Sequence, residues 1–202
     1  MREWLDSRYV RRVGQAHRIQ SNEVLYHACS RGVDKQPLFD VVDGDRPVFM
    51  TLLDRTVMRY RWRLHAYCLM GNHFHLVLDT PDANIAAGMQ YLKSAYALWF
   101  NDAKQREGHL FERRYYAGVV DREAHFFAVC RYIVLNPVRA GLCRHPADWP
   151  WSSYRATAGL VAPQPFLRTE FIHELFGGTS VAAKRYEQFV GLGLEAESPF
   201  GT

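Results

Sequence analysis

The stretch that most constrains this chain is WRLHAYCLM-GN-HFHLVLD, residues 62–79. Two runs rich in strand-forming residues are separated by two turn residues, which predicts a β-hairpin. Successive side chains on a strand point to opposite faces. Phe74, Leu76 and Leu78 therefore share one face, and His73, His75 and Val77 share the other. The first set is wholly apolar and is expected to face the helices, with the histidines on the other side. With Gly71-Asn72 as the turn, Cys68 falls opposite His75, while His65 falls on the opposite face. A cluster of His65, His73 and His75 is thus disfavoured, and a one-residue slip would reverse that assignment.

The rest of the chain supplies partners for this hairpin. EVLYHACSR (23–31) reads as a strand ended by Gly32. Residues 44–60 place Val48, Phe49, Leu52, Leu53, Val57 and Tyr60 at helical spacing, and 84–103 do so with Ile85, Met89, Leu92, Tyr96 and Phe100. RRYYAGVV (113–120) is a short strand. Asp121 then caps a helix running to about Leu135, with Phe126, Phe127, Cys130, Ile133 and Val134 as its apolar face. The order β-α-β-β-α-β predicts an α+β fold of the ferredoxin-like sandwich type. Its antiparallel four-stranded sheet has helices packed on one face, plus a C-terminal helical tail.

The expected organisation is a basic N-terminal arm (1–22), a main domain (23–145), and an aromatic segment with a helical tail packed on the core (146–202). One or two helices are expected within 168–191. At 202 residues and 48% hydrophobic content the chain can bury one ordinary core. No apolar run approaches the roughly 18 residues of a membrane span. The charged start MREWLDSRYVRR does not read as a secretory signal. Cys29, Cys68, Cys130 and Cys143 form no C-x-x-C pair, which argues against a disulfide framework or zinc ribbon and fits a reducing cytoplasm. The net charge of +4 suits a polyanionic partner.

Two histidines at i and i+2 stand roughly 6–7 Å apart on one strand face, a spacing that suits two adjacent ligands of one metal ion. The alternative is a solvated pair on an exposed sheet face, so a third group is needed. CRYIVLNPVRAGL (130–142) offers one. Tyr132 and Asn136 stack on one helix face, away from Ile133 and Val134. Pro137 places Asn136 in the last turn, where the partial negative charge of the helix end favours a cation. The amide could ligate a metal while the phenol attacks something that the metal holds. Equally, Tyr132 could pack on the sheet and Asn136 cap the helix.

In order along the chain, YHACSRG, HAYCLMGNHFHLVLDTP, GHLFERRYYAGVV, YIVLNPVRAGL and DWPWSSYRA resemble the REP-associated tyrosine transposases. These are bacterial relatives of the insertion-sequence single-strand transposases, with a His-hydrophobic-His (HUH) motif and one catalytic tyrosine. The resemblance runs from about Ala16 to Ala156, and departs at Phe111-Glu112, where Trp-Gln is more usual. It implies a metal pair of His73 and His75, a nucleophile Tyr132 and a remaining ligand Asn136. It also implies Mg²⁺ or Mn²⁺, and a DNA transposase that cuts and rejoins a single strand at hairpin (REP-like) DNA through a 5′-phosphotyrosine. The partner would be single-stranded or hairpin DNA, not a membrane, with the protein nucleoid-associated in the cytoplasm as a monomer or homodimer. Arg11, Arg12, Arg18, Arg113, Arg114 and Arg139 are the candidate phosphate contacts. Trp149, Trp151 and Tyr154 either stack on bases or pin the tail, and His27 is expected to be a satisfied core histidine. The competing functions are a domesticated hairpin DNA- or RNA-binding protein that does not cut, and a metallo-phosphodiesterase that activates water.

Overall fold

The computed structural model describes residues 24–120 and 123–195. The expected arm 1–22, with Arg11, Arg12 and Arg18, and the Asp121 cap lie outside the described residues. Strands β1 (Leu25–Arg31), β2 (Arg63–Leu69), β3 (His73–Asp79) and β4 (Tyr116–Val120) form one sheet in the order β2-β3-β1-β4. Every neighbouring pair is antiparallel. The hairpin closes over Gly71-Asn72, the Met70 N–H donating to the His73 carbonyl at 2.9 Å.

Helix α1 (Asp45–Tyr60) joins β1 to β2, and α2 (Ile85–Ala103) joins β3 to β4. The Asp45 carboxylate accepts from the Val41 and Val42 N–H groups at the α1 N-terminus. Phe49, Leu53 and Val57 then follow at i, i+4 and i+8, and all are buried. With Ile85, Met89, Leu92, Tyr96 and Phe100 of α2 they cover Phe74, Leu76 and Leu78. This is the expected layer, on the expected face.

The other face is covered as well. Phe126, Val129, Cys130, Ile133 and Val134 of α3 (Glu123–Arg139) pack on Ala66, Cys68 and Val77. Helices therefore lie on both sides of the sheet, and His75 is 0% exposed, which excludes a solvated pair. α3 also runs four residues beyond the expected Leu135, through Pro137. A proline removes its own N–H donor and crowds the carbonyl four residues back, but it leaves the donors that follow it intact. Ala140 N–H still reaches the Asn136 carbonyl, and Leu142 N–H the Pro137 carbonyl, before Gly141 ends the helix at φ 70°.

A bulge corrects the expected placement of His65. Leu64 pairs with Leu78 but Ala66 pairs with Val77, leaving His65 as the extra residue. A bulge re-aims a side chain. His65 consequently packs on Phe126 beneath α3, with its Nε2 2.9 Å from Asp79 Oδ2. Asp79 lies six residues from His73, roughly 20 Å along the strand, so His65 still stands apart from the histidine pair.

The segment after α3 covers the outer edge of β2. Leu69 N–H donates to the Trp151 carbonyl, Ser153 N–H to the Tyr67 carbonyl, and Trp149 Nε1–H to the Leu69 carbonyl. Arg46, 2% exposed, holds Asp40 through two nitrogens and lies 5.0 Å from the Trp149 ring and 5.5 Å from the Trp151 ring. Tyr154, at the start of α4 (Tyr154–Thr157), is buried against Tyr186. These aromatics pin the tail. Helices α5 (Glu170–Leu175) and α6 (Thr179–Glu195) complete the cover over α3. No helix among the described residues is long and apolar enough to cross a membrane.

Candidate active site

Register brings one row of polar residues under the C-terminal half of α3. Arg31 pairs with His73, and Cys29 stands between His75 and Tyr116. Cys68 lies across from His75 as expected. The His73 and His75 rings are 4.9 Å apart, nearly perpendicular, and the Tyr132 ring meets His75 edge-on at 6.1 Å. Asn136 stands one helical turn beyond Tyr132 and interacts with its phenol. One further turn on, the Arg139 guanidinium lies 5.8 Å from the Tyr132 ring. A strand end and a helix end thus bring His73, His75, Tyr132 and Asn136 together.

Each histidine has a partner on its inner nitrogen. His73 Nδ1 lies 2.7 Å from Asn72 Oδ1, and His75 Nδ1 lies 2.9 Å from His27 Nε2. Burial lowers the pKa of His73 to about 4, with Arg31 adding to the effect. Burial likewise pushes His75 well below its ordinary value, aided by His73, His27 and Arg31. Both imidazoles are therefore neutral near pH 7, the form that can ligate a cation. Burial raises the Tyr132 phenol to about 12 and Cys29 pushes it the same way, while Arg139, Asn136 and Arg31 pull it down.

The donor set available to a metal is two neutral imidazoles and one amide. Among the described residues no group of three or more His, Cys, Asp or Glu side chains is arranged to hold a metal ion. As a ligand Asn136 would offer its Oδ1, while its Nδ2, a donor that no cation can use, lies buried on the side of the Tyr132 phenol. His73, His75 and Asn136 could hold an ion with positions left for water and phosphate oxygens, and they do not form a closed structural site.

Of the six arginines singled out, three can be placed. Arg139 is part of the cluster, and its Nη1 is buried with no hydrogen-bond partner among the described residues. Arg113 and Arg114 are exposed on the segment before β4. Glu112 N–H donates to the Arg31 carbonyl, which sets that segment at the His73 end of the sheet. Sequence reasoning missed Arg31, Cys29 and Asn72, whereas His27 is, as expected, a buried and hydrogen-bonded histidine, its partner being His75. Period-two spacing along LYHACSR puts His27, Cys29 and Arg31 on one face, but only strand order places that face beside His75.

Residues 20–136 match the family model "Transposase IS200 like". A REP-associated tyrosine transposase of Haemophilus influenzae is 27% identical over 117 residues, covering 52% of this chain and 66% of the relative's length. The solved structure of a REP-associated tyrosine transposase bound to a REP hairpin superposes with a TM-score of 0.64 at 11% identity. That match covers 78% of this chain and 90% of the other, and at this identity it speaks for the fold. The family match spans more than half of the sequence and contains the histidine pair, the tyrosine and the asparagine: the chain belongs to the IS200-like transposase family.

Proposed function

We propose that the protein is a divalent-metal-dependent single-strand DNA endonuclease and strand transferase acting at hairpin DNA, with Tyr132 as nucleophile. The observation that carries this reading is the convergence of Tyr132 with the neutral His73–His75 pair and Asn136, the tyrosine and histidine rings being 6.1 Å apart. The REP hairpin held by the structural relative supports the substrate class.

The residues divide the work as follows. His73, His75 and Asn136 would hold Mg²⁺ or Mn²⁺, which supplies Lewis-acid polarisation of the scissile phosphate. Arg139, with a buried donor to spare, takes a phosphate oxygen and offsets charge as it builds. Arg31, Arg113 and Arg114 neutralise backbone phosphates on either side. Tyr132 oxygen attacks phosphorus, the bond to the 3′-oxygen breaks, and the phenolic proton leaves through solvent while the 3′-oxygen gains one. The products are a 5′-phosphotyrosine and a free 3′-hydroxyl. One phosphodiester replaces another, so rejoining needs no nucleotide cofactor.

The test is covalent capture. Wild-type protein with Mn²⁺ and a hairpin carrying a single-stranded flank should give a DNA–protein adduct on a denaturing gel. Tyr132→Phe should abolish the adduct while hairpin binding changes little. His73→Ala should lower adduct yield by orders of magnitude, and chelation should do the same to the wild type. Tyr116→Phe is the sharpest control, since Tyr116 shares the site face with its ring 6.5 Å from His27, and it should keep adduct formation. Cutting without an adduct would give the reaction to activated water, and binding without cutting would leave a hairpin-binding protein.

A further inference from the structure

A hydrogen bond between two imidazole nitrogens needs one donor and one acceptor. His27 Nε2 and His75 Nδ1 are 2.9 Å apart, and the bond can run either way. If His27 donates, neutral His75 keeps its proton on Nε2 and has no lone pair there for an ion. If His75 donates from Nδ1, its Nε2 lone pair is available, and His27 holds its own proton on Nδ1. His73 has no such choice. Asn72 Nδ2–H donates to the Lys35 carbonyl at 3.1 Å, which turns Oδ1 toward the imidazole. An oxygen only accepts, so His73 Nδ1 carries the proton and Nε2 the lone pair.

We propose that His27 is the positioning residue of this centre, accepting the Nδ1 proton of His75 and so presenting the His75 Nε2 lone pair to the ion. The inference rests on reading His73 and His75 as metal ligands. His27 is built for this place. It is 5% exposed on the central strand β1, opposite Val77 on one side and Gly118 on the other. Strand register aims it diagonally at His75. The two rings lie 5.1 Å apart, close to parallel at 27°. A ligating histidine is oriented by the acceptor on its other nitrogen, and losing that acceptor typically weakens metal binding.

The experiment measures metal affinity and the proton's position directly. Mn²⁺ is titrated calorimetrically into wild type, His27→Ala and His27→Gln, and nitrogen NMR of ¹⁵N-histidine-labelled wild type reads both tautomers with Mg²⁺ present. His27→Ala should weaken Mn²⁺ binding roughly 10- to 100-fold, and His27→Gln, whose Oε1 can accept the same proton, should recover most of it. NMR should show His27 and His75 both protonated on Nδ1. A His27→Ala protein with wild-type Mn²⁺ affinity, or a His27 proton on Nε2 in the Mg²⁺-loaded protein, overturns the inference. If His27→Ala does not fold, the glutamine variant and the NMR tautomers decide. Wild type that binds no Mn²⁺ sinks the metal reading along with this one. Wild type that binds Mn²⁺ beside an unaffected His27→Ala sinks the His27 role alone.

Discussion

His27, His73 and His75 are neutral imidazoles on one covered sheet face, and acid should find them first. Burial lowers His27 from 6.5 to about 4, with His125 adding to the effect, and His73 is lowered to about 4 as well. Above pH 6.5 neither the folded nor the unfolded form binds a proton at these rings. As pH falls from 6.5 toward 4 the unfolded chain takes up protons that the folded protein refuses, and stability drops. Below about 4 the folded protein protonates too, and this contribution levels off. A shift of this size at one buried ring is worth roughly 3 kcal/mol. Urea midpoints measured between pH 7 and 4 should fall, less steeply in His27→Gln than in wild type; parallel curves would remove His27 from the account. At this scale the alternation in HFHLVLD and the four-residue step from Tyr132 to Asn136 were readable. The His27–His75 contact was not, because it joins residues 48 apart in the chain.

Elements meet through contacts that spacing cannot show. Gly88 in α2 lies against the Trp62 indole, and a β-carbon there would stand 2.1 Å from Trp62 Cζ2. Replacing a helical glycine by alanine gains about 1 kcal/mol in helix propensity, whereas overpacking costs typically about 1–3 kcal/mol. The indole is 3% exposed and is held by its Nε1–H donating to Asn84 Oδ1, so it has nowhere to go. Overpacking should win, and Gly88→Ala should melt several degrees below wild type by circular dichroism; a higher Tm would show that α2 can shift. The helices themselves were legible from their apolar periods. Their ends were less so: α3 passes Pro137 because neighbouring N–H groups keep the ladder going, and the β2 bulge at His65 arises from pairing with β3, which local sequence does not encode.

The tail after α3 belongs to the same core as the sheet. It supplies Trp151 and Ser153 to the β2 edge and Tyr154, Ile172, Tyr186 and Val190 to the layer over α3. An uncovered strand edge is a template for association, and these residues shield apolar surface on the helix that carries Tyr132. Truncation after residue 145 should therefore yield protein that aggregates or loses cooperative melting, read by size-exclusion chromatography and circular dichroism; a monomeric, cooperatively folding 1–145 would refute it. The sequence alone determined the hairpin, the strand and helix order, the apolar faces, and the pairing of Tyr132 with Asn136 on one helical side, because each follows from the period of a single element. Only the tertiary structure decided that α3 closes over the histidine face, that His75 is buried rather than solvated, and that Arg31 and His27 join it. Strand order and helix docking are set by burial summed over the whole core, and residues far apart in sequence meet only when that sum has chosen one arrangement.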